Sequence, residues 1–584
     1  MTTTPDEDST SFIGPRELEY PIDQLAALCF AALDGATDVA DEPEWASKLE
    51  TYAEPCYVGI RANGQRAADA WTPRDGTLSS LISTIRELAK GLAPDTRAAI
   101  STIELNMTHD WTTIDLADTK ASRAFLSNFV RGVRGFELVH GDHTLRVAPT
   151  QAVAQNRAYP KWLEVFRQER RLTESDVARD VVARSFDSDQ LLLARPIGVT
   201  DTQAFPMFRG NTLVDQDRVD RGFVEQLERD LGDFLVRAVQ PTGRMTYIYY
   251  PSQGREDLKR NNMIRQWMAS VALGRTAAFR GDPSIHKTAE ENIRYNLRTF
   301  YHATGKLGCI EYNGKVKLGS VALAVISIME HPKRKQFKRI EERLWNMIDH
   351  LWQSDGSFRT FFKPSERNDV QNFYPGEAQL AWAFAYAETR DAALLDKFMA
   401  SMRHYREWHK EQRNPAFVPW HAQAYYHVWK ITRDEELKDW IFDISDWLLC
   451  MAQYSHNVSH ADELGRFYDP ENPGFGPPHA SATGVYLEGL IDAFELAREV
   501  GDDARRERYR LAIIRGLRSV RQVMFKDNVD MFYINPKNRA WLRGGVRNTV
   551  YDNVMRIDNV QHNQMGIIKI LRAFEDRDFI EARG

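Results

Sequence analysis

Two rhythms of apolar and polar positions run along this chain. From Glu19 to about Leu193, short alternating runs mix with helical ones. The stretch CYVGIRANGQRAADAW (Cys56–Trp71) reads as strand, turn at Asn63–Gly64, strand. AAISTIELNMTHDW and GFELVHGDHTLRVAP read the same way, the second around Gly141–Asp142. Between them, LSSLISTIRELAKGL carries the period of an amphipathic helix. From about Asp215 the alternation gives way to helical segments that recur to the C-terminus. Twelve are predicted, starting near Val219, Asn261, His286, Lys317, Lys338, Pro375, Ala392, Pro419, Glu435, Ala480, Asp503 and Ile557.

These segments alternate in character. The odd ones are charged and amphipathic, as in EELKDWIFDISDWLLCMAQ; the even ones are small and apolar nearly all round, as in GSVALAVISIM, GEAQLAWAFAYA and SATGVYLEGLIDAF. A helix apolar on all sides must be buried on all sides. Six buried helices alternating with six exposed ones predict a double ring, so the expected fold class is mainly α: an (α/α)6 toroid preceded by a smaller α+β domain. The expected division is a disordered tail over 1–18, the α+β domain over 19–195, a linker over 196–214 and the toroid over 215–584.

Composition narrows the partners. A chain of 584 residues exceeds one small core. Its net charge of −6, with 27% charged residues of both signs, argues against the basic face of a nucleic-acid protein. No run of 18 apolar residues occurs, so no membrane span is expected. The polar, acidic start MTTTPDEDSTSF lacks the features of a secretory signal, which makes the cytoplasm the expected location. Cys29, Cys56, Cys309 and Cys450 form no CxxC pair, and the 15 histidines include no HExxH. Free thiols are expected, and neither a metal nor a cofactor is called for.

If the buried helices all run the same way, the segments feeding their N-termini gather at one mouth of the ring. Those segments are rich in Tyr, Trp, His, Gly, Pro and Asn, whereas the returning turns (AETRDAALL, ITRDEELKD, EVGDDARRE) are short and charged. Function tends to sit on loops held by a rigid scaffold. In NFYPGEAQLAW, Pro375 suits a first helical turn and Glu377 follows it. An acid there gains roughly 0.3–1 kcal/mol from the helix dipole, so Glu377 reads either as a dipole-serving charge or as an ionised base or nucleophile. Glu311 and Tyr312 flank the Asn313–Gly314 turn. Trp420 and His421 head the fourth buried helix with Tyr425 one turn on, and Trp420 offers a platform for a sugar face. His479 follows a Pro–Pro stop. Asp552, Arg556, Asp558, Asn559, Gln561 and His562 crowd the mouth of the last buried helix, with Asp558 and His562 four residues apart on one side. This cluster reads as a capping network or as a lined pocket. Arg265, one turn into the first buried helix, could meet a substrate carboxylate or phosphate.

The motifs K-L-G-x-x-A-L-A (Lys317–Ala324), Y-P-G-E-A (Tyr374–Ala378) and the Trp420–His421 pair resemble those of a group of bacterial toroid proteins. In layout, residues 215–578 are similar to D-glucuronyl C5-epimerases, N-acylglucosamine 2-epimerases and (α/α)6 glycosidases and lyases. GVRGFELVHGDHTLRVAPTQAVAQ resembles an AMMECR-type domain, although that family's central glycine–cysteine motif is missing. The resemblance implies an enzyme of the glycoside hydrolase or sugar epimerase kind, acting on an acidic or oligomeric saccharide by general acid–base catalysis. Glu377 is the expected base or nucleophile, with Glu311 or Asp558 as its partner. His421, His562 and Tyr374 are expected as secondary proton or hydrogen-bond groups. Arg265, Tyr312, Tyr425, His479, Asp552, Arg556 and Asn559 are expected substrate contacts. Paired carboxyls about 5–5.5 Å apart imply retention and about 6.5–9.5 Å inversion. The expectation is that Glu377, His421 and Asp558 line one cavity. The DxDD run of terpene cyclases and the zinc ligand set of lanthionine cyclases are absent. A non-catalytic platform for ligand binding or assembly remains the alternative.

Overall fold

Leu318–Met329 holds no polar side chain larger than serine, and in the computed structural model all of its residues are buried. The structure describes residues 13–35, 43–51, 54–74, 77–196, 201–215, 219–454 and 457–579. This helix is one of six that close a ring. Met263–Arg280 packs on Leu318–Met329, which packs on Tyr374–Thr389; then follow Val418–Thr432, Ala480–Val500 and Ile557–Ala573, and the last returns to the first. Around them lie Arg221–Arg237, Pro283–Phe300, Lys338–Leu351, Ala392–Glu411, Glu435–Leu448 and Asp503–Val523, each against an inner helix. The described residues thus form the expected double ring, and each of the twelve helices starts within three residues of its expected position.

The two rings begin their helices differently. Five outer helices open on an aspartate, Asp220, Asp282, Asp391, Asp434 or Asp502, whose carboxylate accepts a backbone N–H of the first turn. Such a cap is worth about 0.5–2 kcal/mol. Five inner helices have no side-chain cap, the exception being the first, where Asn262 accepts from Ile264 and Arg265. Uncapped N–H groups and the positive dipole ends therefore converge on one axial mouth. The feeding segments there pair into small sheets. Arg547–Thr549, Asp552–Arg556, Ile248–Tyr250 and Arg255–Glu256 form one; Tyr301–Thr304, Leu307–Tyr312, Lys315–Lys317 and Phe361–Lys363 form the other.

Ahead of the rings lies a seven-stranded antiparallel sheet. In chain order its strands are β1 (Cys56–Ala62), β2 (Gln65–Trp71), β3 (Ile100–Ile114), β4 (Gly135–His140), β5 (His143–Val147), β6 (Val182–Ala194) and β7 (Gln203–Met207). They are ordered β2-β1-β3-β6-β4-β5, with β7 beside β6. Helices Ile22–Asp34 and Leu78–Lys90 cover one apolar cluster, and Tyr159–Arg170 covers another. Three local expectations need revision. AAISTIELNMTHDW is one continuous strand, because β3 pairs along nearly its whole length with β6. The stretch 196–214, expected as a linker, supplies β7 and the buried Arg209. Of the expected disordered tail, residues 1–12 lie outside the described residues, whereas Ile13 bridges to His460 and Arg16 pairs with Asp189 at 2.6 Å. Cys29, Cys56 and Cys309 are buried and Cys450 is exposed, all as free thiols. No helix among the described residues is long and apolar enough to cross a membrane.

Ring closure relies on glycine where the last two inner helices touch. A Cβ on Gly484 would lie 2.7 Å from the backbone nitrogen of Asn563, which cannot yield as a side chain end can. Gly274, on the first inner helix, has nothing within 4 Å of such a Cβ. Gly484→Ala is therefore expected to lose about 1–3 kcal/mol, and Gly274→Ala to gain up to about 1 kcal/mol. Denaturant unfolding of the two variants checks this contrast; equal effects would contradict the contact.

Candidate active site

At the mouth where the inner helices begin lies a cavity of about 340 Å³, lined from five of them and from Lys317, just ahead of the second. The third helix brings Glu377, and Pro375 and Gly376 place it in the first turn. It is 3% exposed, and its Oε2 has no hydrogen-bond partner. The carboxylate lies against the second helix so closely that a Cβ on Gly319 would come within 1.9 Å of Oε2. Burial raises its pKa to about 7, with the charges of Arg265 and Lys317 opposing the rise. The expectation of a carboxylate held ionised is thereby revised: loss of water outweighs the charges of Arg265 and Lys317.

Cations ring this acid. Arg265 reaches Asp558 through Nε at 3.2 Å, and Arg556 grips both oxygens of the same carboxylate. Asp558 is fully buried; burial would raise its pKa, but Arg265 and Arg556 prevail and hold it below the usual carboxylate range. It pairs with two arginines and does not itself line the cavity. Lys317 precedes the second helix and lines the cavity; burial lowers its pKa, aided by Lys315 and Arg367. His562 lines the cavity with its Nδ1 2.8 Å from Oε1 of the buried Glu488 and its Nε2 3.4 Å from Nη1 of Arg265. A carboxylate accepts and a guanidinium donates. The two contacts together assign the proton to Nδ1 and direct the Nε2 lone pair at the Arg265 guanidinium. Trp420 meets the imidazole edge-on at 5.9 Å. Tyr374, Tyr486, Phe373 and Phe475 extend the aromatic wall, and His479 stands at the start of the fifth helix with its pKa lowered by burial and by Arg556.

Glu377, His562, Arg265, Arg556, Tyr374, Trp420 and His479 thus meet in one cavity. Others expected there do not line it. Glu311 sits on a strand and pairs with Lys363 at 3.1 Å and His302 at 3.6 Å. Tyr312 packs edge-on against Phe300 at 5.6 Å. His421 is fully buried, stacked on Phe417 at 3.5 Å with Nδ1 on the Phe417 carbonyl, and burial lowers its pKa to about 3. Tyr425 packs against Phe398. Asp552 accepts from Asn156 and Asn548, both at 2.9 Å. Asn559 donates to the Val546 carbonyl. The expectation that Glu377, His421 and Asp558 share one cavity is not met. Lys317, Glu488 and Tyr486 join the site instead. Glu488, one of two acids (with Asp492) inside the otherwise largely apolar SATGVYLEGLIDAF, was the sequence signal for one of them. Among the described residues, no group of three or more His, Cys, Asp or Glu is placed to hold a metal.

The N-terminal sheet holds two of the feeding segments. Arg209, fully buried, pairs with Asp462 at 2.9 Å and Glu463 at 3.3 Å, and donates to the carbonyls of Phe129 and Arg131. Arg131 donates to the Tyr551 carbonyl, and Asn156 bonds Asp552 and the backbone of Asn553. These contacts fix the approaches to the fifth and sixth inner helices, which carry His479, Arg556 and His562.

A carboxyl whose pKa is higher in the folded than in the unfolded chain stabilises the fold while protonated. Its contribution is complete below the unfolded value near 4.5 and is lost as pH rises through about 7. Glu377→Gln, neutral throughout, should melt close to wild type at about pH 5 and above it at about pH 8.5, by on the order of 3 kcal/mol. Thermal unfolding across this range checks the sign; a gap independent of pH would contradict it.

No protein-family model matches the sequence, and no curated protein matches it. Solved structures similar to it include a D-mannose isomerase (10% identity, TM-score 0.47, covering 61% of this chain and 99% of that one). The cellobiose 2-epimerase of Bacillus thermoamylovorans is similar at 11% identity and TM-score 0.46, over 60% of this chain and 99% of that one. An unsaturated glucuronyl hydrolase specific for heparin is similar at 13% identity and TM-score 0.44, over 60% and 96%.

Proposed function

We propose that this cavity is the active site of a carbohydrate-active enzyme that moves a proton on an acidic saccharide, as an epimerase or isomerase does. The observation that carries the reading is a pair of proton-handling groups in one cavity: the desolvated Glu377 carboxyl with an unpartnered oxygen, and the His562 imidazole oriented by Glu488. With a pKa of about 7, Glu377 is poised to give or take a proton near neutrality. His562, with its proton on Nδ1, offers Nε2 as the complementary base once a substrate anion draws the Arg265 guanidinium from it. One group removes a proton from a carbon next to a carbonyl or carboxylate, and the other returns one. Arg265, Lys317 and Arg556 face the oxyanion that forms between these steps, a charge best met by donors already in place.

Two further features support an acidic sugar. Three cations and five uncapped helix N-termini favour an anion at this mouth. Trp420 and the tyrosines supply apolar faces with polar edges, the pattern of a saccharide subsite. Hydrolysis between two carboxyls is less well supported. Among the described lining residues Glu377 is the only carboxylate, since Asp558 and Glu488 lie behind the groups they orient.

The test is incubation in D2O with uronic-acid-containing and neutral oligosaccharides, read by NMR and mass spectrometry. The expected result is deuterium at one ring or chain carbon without release of reducing ends. Glu377→Gln and His562→Gln should each lower that rate by on the order of 10²–10⁴-fold. Release of reducing ends would favour hydrolysis. Saturable binding without exchange or cleavage would favour the non-catalytic platform.

A further inference from the structure

The opposite mouth of the ring, where the inner helices end, opens into a second and larger cavity of about 480 Å³. All six inner helices or their exits contribute to it, and its apolar floor is made by Ala278, Phe384, Met565 and Ile568. Its acids are engaged. Glu330 is held by Arg275 at 2.9 Å, the buried Asp492 by Lys569 at 2.6 Å, and Glu495 pairs with Arg498 at 3.3 Å. Lys569 also donates to the Glu488 carbonyl at 2.7 Å.

Two lining cations remain. Lys430 and Arg572 form no ion pair among the described residues; they lie over the rings of Tyr426 and Phe279. Both occupy the last turn of an inner helix, where the helix dipole favours a cation. That accounts for their place along the helix, but not for a cavity of this size beside them. Four cations, Arg275, Lys430, Lys569 and Arg572, line the cavity against three carboxylates, and His427, edge-on to Phe384 at 4.8 Å, is held well below its ordinary pKa by burial and then by Lys430, Lys569 and Arg275. No carboxylate in this cavity is left free to act as a base, so the arrangement suits binding rather than reaction.

We infer that this lower cavity binds a small organic phosphate, its dianion between Lys430 and Arg572 and its carbon skeleton over the Phe384–Met565–Ile568 floor. Charge selects phosphate, because two unpaired cations match a dianion with charge-assisted hydrogen bonds. Volume selects an organic ester, since the cavity far exceeds one phosphate group. The site is distinct from the upper cavity, yet it touches the same residue: Glu488 receives Lys569 on its carbonyl and holds His562 with its carboxylate.

The test titrates the full-length chain at constant ionic strength with inorganic phosphate and, separately, glucose 6-phosphate as probes, using calorimetry and thermal shift. Saturable binding is expected for both, tighter by about tenfold or more for the sugar phosphate. Lys430→Gln/Arg572→Gln, at two exposed positions, should weaken binding by about tenfold or more with an unchanged ligand-free melting temperature. Arg265→Gln/Lys317→Gln in the upper cavity should leave the affinity unchanged. Absence of saturable binding, wild-type affinity in the lower-cavity variant, or loss of binding in the upper-cavity variant would each overturn the inference. Equal affinity for the two probes would overturn its organic part.

Discussion

A ring of helices buried on every side leaves polar side chains only two outlets, the axial mouths. This constraint organises the rest of the molecule. Leu318–Met329 can be apolar all round because neighbours enclose it, and the polar groups heading Tyr374–Thr389 or Ile557–Ala573 have nowhere to go but the axis. Five of the six outer helices are finished by their own aspartate caps, whereas most inner ones begin uncapped into the cavity. The contrast concentrates dipole ends, cations and one unpartnered carboxylate at a single place. Paired polar groups are merely tolerated there; the unpaired ones are free for chemistry.

Glu377 illustrates how burial and charge compete. The charges of Arg265 and Lys317 favour ionisation, but removal from water weighs more and brings the pKa to about 7. Asp558, equally buried, takes the opposite course because two arginines touch it directly. Two buried acids thus shift in opposite directions: ion pairs hold Asp558 low, and loss of water raises Glu377.

Much of this was legible in the chain itself. The alternation of wholly apolar and amphipathic segments marks all twelve helices, because burial on all sides leaves no other composition open. The entrances of the inner helices were legible for the same reason, and Glu377, Arg265, Trp420 and His562 came from them. The failures are local and geometric. Trp420 and His421 are adjacent, so about 100° of helical rotation separates them, and only Trp420 faces the axis. Glu311 and Tyr312 lie on a strand whose side chains face Lys363 and Phe300, a pairing set by residues some distance along the chain. Glu488 belongs to the interior of a helix rather than to an entrance, and the fit of Gly319 against the Glu377 carboxylate emerges only once the ring closes. The AMMECR-type likeness of the N-terminal region remains a likeness of sequence. Its contacts give that region a physical role, because Arg209, Arg131 and Asn156 hold the approaches to the last two inner helices.

The proposed chemistry depends on a cavity that keeps Glu377 near the middle of its titration at neutral pH. Infrared difference spectroscopy of wild type against Glu377→Gln, followed from acid to alkaline pH, reads that carboxyl directly. Its protonated band is expected to fade around pH 7. A carboxyl already ionised at pH 5, titrating at or below its ordinary 4.5, would contradict this.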